Sequence, residues 1–391
     1  MIDARGARAG TREGVTLIFP IVLAVAGAVL IAPVIPSISR AFQDSPHVEV
    51  LVPVAITMPA LMLALFSPIA GGLADRLGRR NLLVAALAVY SFVGTAPLWL
   101  ASLPLIIASR ALLGVCESMI VICSTALIGD YFSGAERERW LGYQAGVAAI
   151  SAVIFILIGG ALGETNWRAP FAAYAVAAVL IAPILLFIRE PAAHAHAAVR
   201  AKIDFRLLGS ISAIAFVASV MFMVVPIQLG FLLERHGPAS PETIGMATAA
   251  NSFTVAVTAF LFQRLTGVKF SVMAAAALLF LAAGLAVIAW SSTFPVATLG
   301  SAVHGIGWGL ALPALLSWAM QPLPQDVRGR GAGVFMGAVF IGQFLSPLIV
   351  LAFKAGGDLT SAVLTMAAIC ALTAPAAILY GRSVGEVRSV Q

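Results

Sequence analysis

Gly71-Gly72-Leu73-Ala74-Asp75-Arg76-Leu77-Gly78-Arg79-Arg80 separates two apolar runs, Val50–Ala70 and Leu82–Ala101. Each run has the length, about 20 residues, that carries an α-helix across a bilayer core of about 30 Å. The ten residues between them concentrate glycine and charge, as a short turn between two spanning helices does. Ten further runs of this kind flank the pair, beginning with Val15–Ile38 and ending with Leu359–Tyr380. Backbone groups in lipid need partners within their own segment, and runs this long and uniformly apolar are helices rather than barrel strands. The sequence therefore predicts an all-α membrane protein with 12 transmembrane helices. The first run follows Arg5, Arg8 and Arg12 as a signal peptide would, but it is too long for one and is read as a retained helix.

Composition agrees. The chain of 391 residues is 61% hydrophobic and 10% charged, with mean hydropathy +1.02. Ordinary soluble domains are about 45–50% apolar and about 25% charged. That difference excludes a soluble enzyme, a disordered chain and an ordinary nucleic-acid binder. Cys116, Cys123 and Cys370 all lie in apolar runs, so neither a disulfide framework nor a metal site is expected. With no metal-ligand cluster or nucleophile triad in the sequence, no enzymatic role and no cofactor are expected either.

The net charge of +6 is mostly a topology signal. Of the 23 basic residues, Arg40, Arg168, Arg235 and Lys354 fall in the odd-numbered loops, and Arg110 lies inside a run. The other 18 lie in the tails and even-numbered loops, which orients both termini to the cytoplasm. The longest internal loop, residues 189–206, divides the chain into an N-terminal half, 1–188, and a C-terminal half, 207–391, of six spans each. The halves repeat. At a displacement of about 190 residues Pro36 falls on Pro226, Gly78 on Gly267, Gly114 on Gly305, Arg139 on Arg330 and Gly146 on Gly337.

The motif of residues 71–80 resembles the signature loop of the major facilitator superfamily (MFS), G-x-L-a-D-r-x-G-r-[kr], at each defining position. Arg110-Ala111-Leu112-Leu113-Gly114 is similar to that family's arginine–glycine motif in the fourth span. The corresponding loop of the second half, Gln263 to Lys269, keeps a glycine and basic residues but lacks the aspartate. The resemblance covers essentially the whole chain. It implies the MFS fold, two pseudo-symmetric six-helix bundles, and secondary active transport of a small molecule.

Several residues are candidates for that work. Gly71 and Gly78 permit tight approach of two helices around the short loop. Asp75 stands where a carboxylate can face the positive N-terminus of a neighbouring helix. The resemblance makes that helix the eleventh span, starting near Gly331. Arg79 or Arg80 is expected to pair with Asp130 at the end of the fourth span. With Arg76, these residues form a candidate gate on the cytoplasmic side. The alternative is that the charges only flank helices as topology determinants.

Within the apolar runs, Arg110, Glu117 and His304 are ionisable. A charge at mid-bilayer costs about 2.5–3.5 kcal/mol on insertion scales, so it faces an aqueous path or a partner. Seven residues separate Arg110 from Glu117, which puts both on nearly one helix face, about 10 Å apart along the axis. Glu117 is the candidate proton-binding group, and Arg110 tunes it or holds an anionic substrate. The alternative for this pair is a static network positioning the fourth span. His304 has Trp308 four residues on, on the same face. Gln144, Gln228, Asn251 and Gln343 are weaker substrate-binding candidates, as helix–helix hydrogen bonds explain them equally well.

The first run has almost no polar side chain beyond Thr16 and Ser37, which suits a lipophilic or amphiphilic solute. Residues 110–132 and Asn166-Trp167-Arg168 are most similar to bacterial drug and aromatic-compound exporters. The Arg110–Gly114–Glu117 arrangement is also similar to spinster-like lipid transporters. The family's drug/proton antiporters carry a glycine–proline pair ahead of two glycines in the fifth span. Here Gly159-Gly160 follow Phe155-Ile156. The expectation is proton-coupled efflux of a small lipophilic compound by alternating access, from the bacterial inner membrane. Its partners would be the substrate, protons and the bilayer, with the chain a monomer and no nucleic acid bound. The alternatives are proton-coupled uptake of an organic anion anchored on Arg110, lipid transport, and a transport-dead sensor.

Overall fold

The computed structural model describes residues 10–191, 205–265, 267–324 and 327–383. Most of the central loop expected at 189–206 lies outside the described residues, as do the tail residues Arg5, Arg8 and Arg388. Twelve membrane-spanning helices follow one another among the described residues: α1 (Thr11–Ala41), α2 (Val48–Leu77), α3 (Arg79–Leu98), α4 (Leu103–Tyr131), α5 (Gly134–Gly163) and α6 (Ala169–Phe187), then α7 (Arg206–Leu233), α8 (Pro241–Arg264), α9 (Phe270–Trp290), α10 (Phe294–Met320), α11 (Arg328–Lys354) and α12 (Leu359–Ser383). The described residues contain no strand.

α1 departs from the single continuous helix expected of its sequence. It comprises three helical pieces, Thr11–Ile18, Ile21–Val29 and Ile35–Ala41, with a 3-10 turn at Ala32–Val34. Proline is the cause. Pro20 has no N–H for the carbonyl of Thr16, and Pro33 has none for that of Val29.

The described residues pack as two compact units, one drawn from Met1–Ile31 and Ala55–Ala197, the other from Ala32–Val54 and Ala198–Gln391. In the first unit α3 packs on α4 and α6, while α1 packs on α4 and α5. In the second, α9 packs on α10 and α12, and α7 on α10 and α11. Each unit thus repeats the pairing of the other. The second unit's core is a continuous apolar cluster in which Leu278, Leu281, Ala311, Leu315, Met366 and Cys370 are buried.

The glycines of the sequence repeat mark the close helix crossings. A Cβ on Gly114 of α4 would lie 2.6 Å from the Cα of Pro59 on α2, and one on Gly305 of α10 would lie 2.3 Å from the carbonyl oxygen of Asn251 on α8. Gly94 of α3 and Gly284 of α9 also mark close crossings, on α6 and α10. A Cβ there would come within 2.6 Å of Tyr174 and 2.5 Å of His304, respectively. Close backbone approach is how helices gain dispersion contact where lipid offers no hydrophobic drive.

Candidate functional site

Polar groups in the first unit gather around the middle piece of α1. Arg110 of α4 is fully buried, and its Nη2 donates to the carbonyl of Gly27 at 2.8 Å. Tyr90 of α3 donates to the carbonyl of Leu23 at 2.6 Å, and Tyr174 of α6 to that of Ala26 at 3.3 Å. Three helices therefore reach into one turn of α1. The carbonyls of Ala26 and Gly27 belong to the last turn before the proline break, and that of Ala26 also accepts the N–H of Leu30 at 3.0 Å. The guanidinium of Arg110 also lies 4.9 Å from the centroid of the Tyr174 ring, a cation–π contact away from water.

Glu117 faces the same residue. Its side chain is 1% exposed, and a Cβ on Gly27 would stand 1.7 Å from its Oε1. The carboxyl thus occupies the volume that any other residue at position 27 would fill. No ion pair joins Arg110 to Glu117 among the described residues. Oε1 of Glu117 and Nε and Nη1 of Arg110 are buried without a hydrogen-bond partner. Unsatisfied polar atoms at such depth are costly and concentrate at sites that exchange protons or ligands.

The second unit holds a different arrangement. His304 of α10 is fully buried, its Nδ1 2.8 Å from Nδ2 of Asn251 and its Nε2 3.2 Å from the carbonyl of Met221. Asn251 Nδ2 also donates to the carbonyl of Ser301 at 2.9 Å. An amide N–H at Nδ1 and a carbonyl at Nε2 assign the ring proton to Nε2, which donates. Both ring nitrogens are satisfied, so His304 ties α7, α8 and α10 together. Phe222 of α7 stacks on Trp308 with centroids 4.4 Å apart and planes 12° from parallel. It stacks on the His304 ring as well, with centroids at 6.2 Å.

The remaining binding candidates are dispersed. Gln144 is buried on α5 and accepts from Thr125 at 3.3 Å, with its Nε2 unpartnered. Gln228 lines a cavity at the opposite end of α7 from Arg206, and Gln343 is half-buried on α11.

At the α2–α3 loop, Arg79 Nη1 bonds both carboxylate oxygens of Asp130, at 2.5 and 2.6 Å, and its Nη2 bonds Asp75 at 3.0 Å. Arg80 Nη2 donates to the carbonyl of Leu185 at 3.0 Å, while Arg76 is exposed. Gly78 has φ +89°, the left-handed region that favours glycine, and a Cβ there would meet the Glu190 carboxyl at 2.8 Å. A Cβ on Gly71 would meet nothing within 4 Å, and the neighbour at Gly78 is a side-chain carboxyl, so neither glycine marks the close helix–helix approach expected of it.

Five residues of these clusters escaped the sequence reading. Gly27 is the single glycine of Val15–Ile38, and that was its available signal. Tyr90 and Tyr174 are two of only five tyrosines, both within apolar runs. Phe222, between Met221 and Met223, reads in the sequence as an adaptable apolar surface or as lipid-facing packing, and its stacking on Trp308 has no sequence signal. Glu190, just past α6, accepts the backbone N–H groups of Arg79, Arg80 and Asn81 at 2.6, 2.9 and 3.3 Å. It thereby caps α3 at the positive end of its dipole.

Comparisons with known proteins bear on this arrangement. The family model described as Major Facilitator Superfamily matches residues 17–234. The tetracycline resistance protein, class C, of Escherichia coli is 26% identical over 373 residues, spanning 88% of this chain and 90% of that protein. Multidrug resistance protein 1 of Bacillus subtilis (strain 168) is 31% identical over 177 residues, 43% of either chain. Among solved structures, a bacterial homolog of the human lysosomal transporter Spinster, in an inward-facing and occupied conformation, has a TM-score of 0.75. Its sequence identity is 18%, with coverage of 94% of this chain and 96% of that one. A D-xylose-proton symporter has a TM-score of 0.72 at 14% identity, covering 92% and 96%. At these identities the likeness to solved structures is one of fold.

Proposed function

Because the chain belongs to the Major Facilitator Superfamily, we propose that it exports a small lipophilic or amphiphilic compound in exchange for protons, by alternating access. The observation that carries this reading is the buried Arg110–Glu117 site closing on Gly27 at the break in α1. A buried carboxyl with an unpartnered oxygen, on the same helix face as a guanidinium with two unpartnered nitrogens, is a place where one proton changes the local charge balance. Arg110 gives Nη2 to the α1 carbonyl of Gly27, the residue that Glu117 also faces, and keeps Nε and Nη1 unpartnered. A change of charge on Glu117 therefore reaches the least regular helix of the first unit. The two halves, 1–188 and 207–391, are the rocking bodies of this reading.

Export is favoured over uptake by the relatives named for tetracycline and multidrug resistance, of which the class C protein matches nearly end to end. The complete burial of Arg110 also weighs against its use as a carboxylate anchor. Asp75 serves as a gate against the N-terminus of α11 in this scheme, supported on its own side by Arg79, Asp130 and Glu190. Both termini face the cytoplasm of a bacterial inner membrane, and the transporter works as a monomer.

The direction of transport tests the proposal. Proteoliposomes preloaded with ethidium or tetracycline are given a pH gradient of either sign. Exchange predicts that substrate moves against the proton flow, so reversing the gradient reverses its direction. Movement of substrate with the protons, for these compounds or for aromatic acids, would replace export by proton-coupled uptake.

A further inference from the structure

Where the chain enters α1 and leaves α6, the first piece of α1 packs on α6 within the first unit. A cavity of about 450 Å³ lies between the two helices. Val15, Phe19, Leu180, Pro183 and Phe187 form its walls, and Thr11 and Arg12 stand at one end. Arg12 and Phe19 are seven residues apart, so the groove runs about 10 Å along α1 from its charged end. Thr16, the remaining lining residue, gives its hydroxyl to the carbonyl of Arg12 at 2.8 Å. Beyond the rim, therefore, no side chain of the groove offers a free hydrogen-bonding group. Val15 and Phe19 are 41% and 43% exposed, which leaves the groove open at its side.

The rim is positive. Arg12 is exposed and pairs with no carboxylate among the described residues. The carboxylates nearest in sequence to the two helix ends, Glu13 and Glu190, are engaged elsewhere. Glu13 accepts the backbone N–H of Gly10 at 2.8 Å, and Glu190 accepts those at the start of α3. Arg189, two residues past Phe187, is exposed at the same end of α6 and adds a second cation.

We propose that this groove binds one anionic phospholipid, its phosphate at Arg12 and one acyl chain along Val15, Phe19, Leu180 and Pro183. The site has the amphipathy of that ligand, with charge and a hydroxyl at one end and an apolar slot along the rest. A zwitterionic lipid fills the slot but brings a cation of its own to Arg12. A free anion satisfies the rim and leaves the slot empty. The seated lipid bridges α6 and the piece of α1 that Pro20 sets apart from the Gly27 turn. None of this depends on what the protein transports or in which direction.

Native mass spectrometry of the full chain in detergent, with phosphatidylglycerol or phosphatidylcholine of matched chain length, measures the lipid held. Wild type should hold one phosphatidylglycerol about fivefold more tightly than phosphatidylcholine. Arg12→Gln should remove most of that preference and Arg12→Lys should keep it. Arg264→Gln, at an exposed arginine ending α8, should leave it unchanged. Val15→Trp, which fills the groove, should weaken both lipids alike. Excess inorganic phosphate should displace neither. A preference that survives Arg12→Gln, or that Arg264→Gln removes to the same degree, overturns the site. So does binding undiminished by Val15→Trp. Displacement by inorganic phosphate would make the rim a free-anion site and overturn the lipid assignment.

Discussion

Gly27 and Gly159 both stand where a helix contacts α1, and they answer to different physics. A Cβ on Gly27 would collide with Oε1 of Glu117, the far end of a movable side chain. One on Gly159 of α5 would collide at 1.9 Å with the backbone oxygen of Leu30, which cannot move alone. Gly159→Ala should therefore lower thermal stability by about 1–3 kcal/mol, the range for overpacking a core. Gly27→Ala should fold with nearly unchanged melting but lose at least about tenfold in gradient-driven transport, since the carboxyl is displaced from its place. Melting curves and flux assays on the two variants separate the cases, and equal losses of stability would contradict the distinction. At this scale the sequence was partly legible. Arg110 and Glu117 stood out as charges in an apolar run, whereas the hydrogen-bond partner of Arg110 is a backbone carbonyl, which has no residue signature. Gly27 and the two tyrosines become visible only once α4, α3 and α6 are seen to converge on one turn.

Helices are where sequence reading was strongest and where its one local failure occurred. All twelve spans follow from hydropathy and length, because a helix in lipid must satisfy its own backbone. The interruption of α1 did not follow, although Pro20 and Pro33 signal it, because proline is common in membrane helices and often only kinks them. α2, α10, α11 and α12 carry internal prolines without comparable breaks, and Pro226 lies inside a continuous α7. At the other end of the chain α12 has a regular start. Asp358 accepts from the backbone N–H and the hydroxyl of Ser361, both at 2.7 Å. These bonds hold its carboxyl below the usual carboxylate range, the backbone bond being the larger cause. A carboxyl with a lowered folded value stabilises fully above its unfolded value and loses that contribution as pH falls through the lowered one. Asp358→Ala should accordingly melt below wild type at neutral pH, and the gap should close on acidification below about pH 4. Calorimetry at the two pH values checks this, and a gap that widens in acid would contradict the capping role.

The whole molecule repeats a six-helix pattern, and the repeat is legible both in sequence and in packing. Gly114 and Gly305 hold equivalent crossings in the two units, α4 on α2 and α10 on α8. What the repeat carries differs between them. The first unit places an unsatisfied arginine and carboxyl against α1, while the second closes the matching region with a satisfied His304 and a Phe222–Trp308 stack. Charge in the membrane thus concentrates in one copy, which is why the proposed function assigns proton coupling to Glu117 and not to the hydrogen-bonded His304. Glu117→Gln removes the titrating group while keeping shape and one polar oxygen. Its flux in proteoliposomes is the most direct measurement of this account. The variant should still exchange ethidium across a membrane with equal pH on both sides, and should lose at least about tenfold of its pH-gradient-driven transport. Gradient-driven transport undiminished from wild type would contradict the assignment of coupling to Glu117.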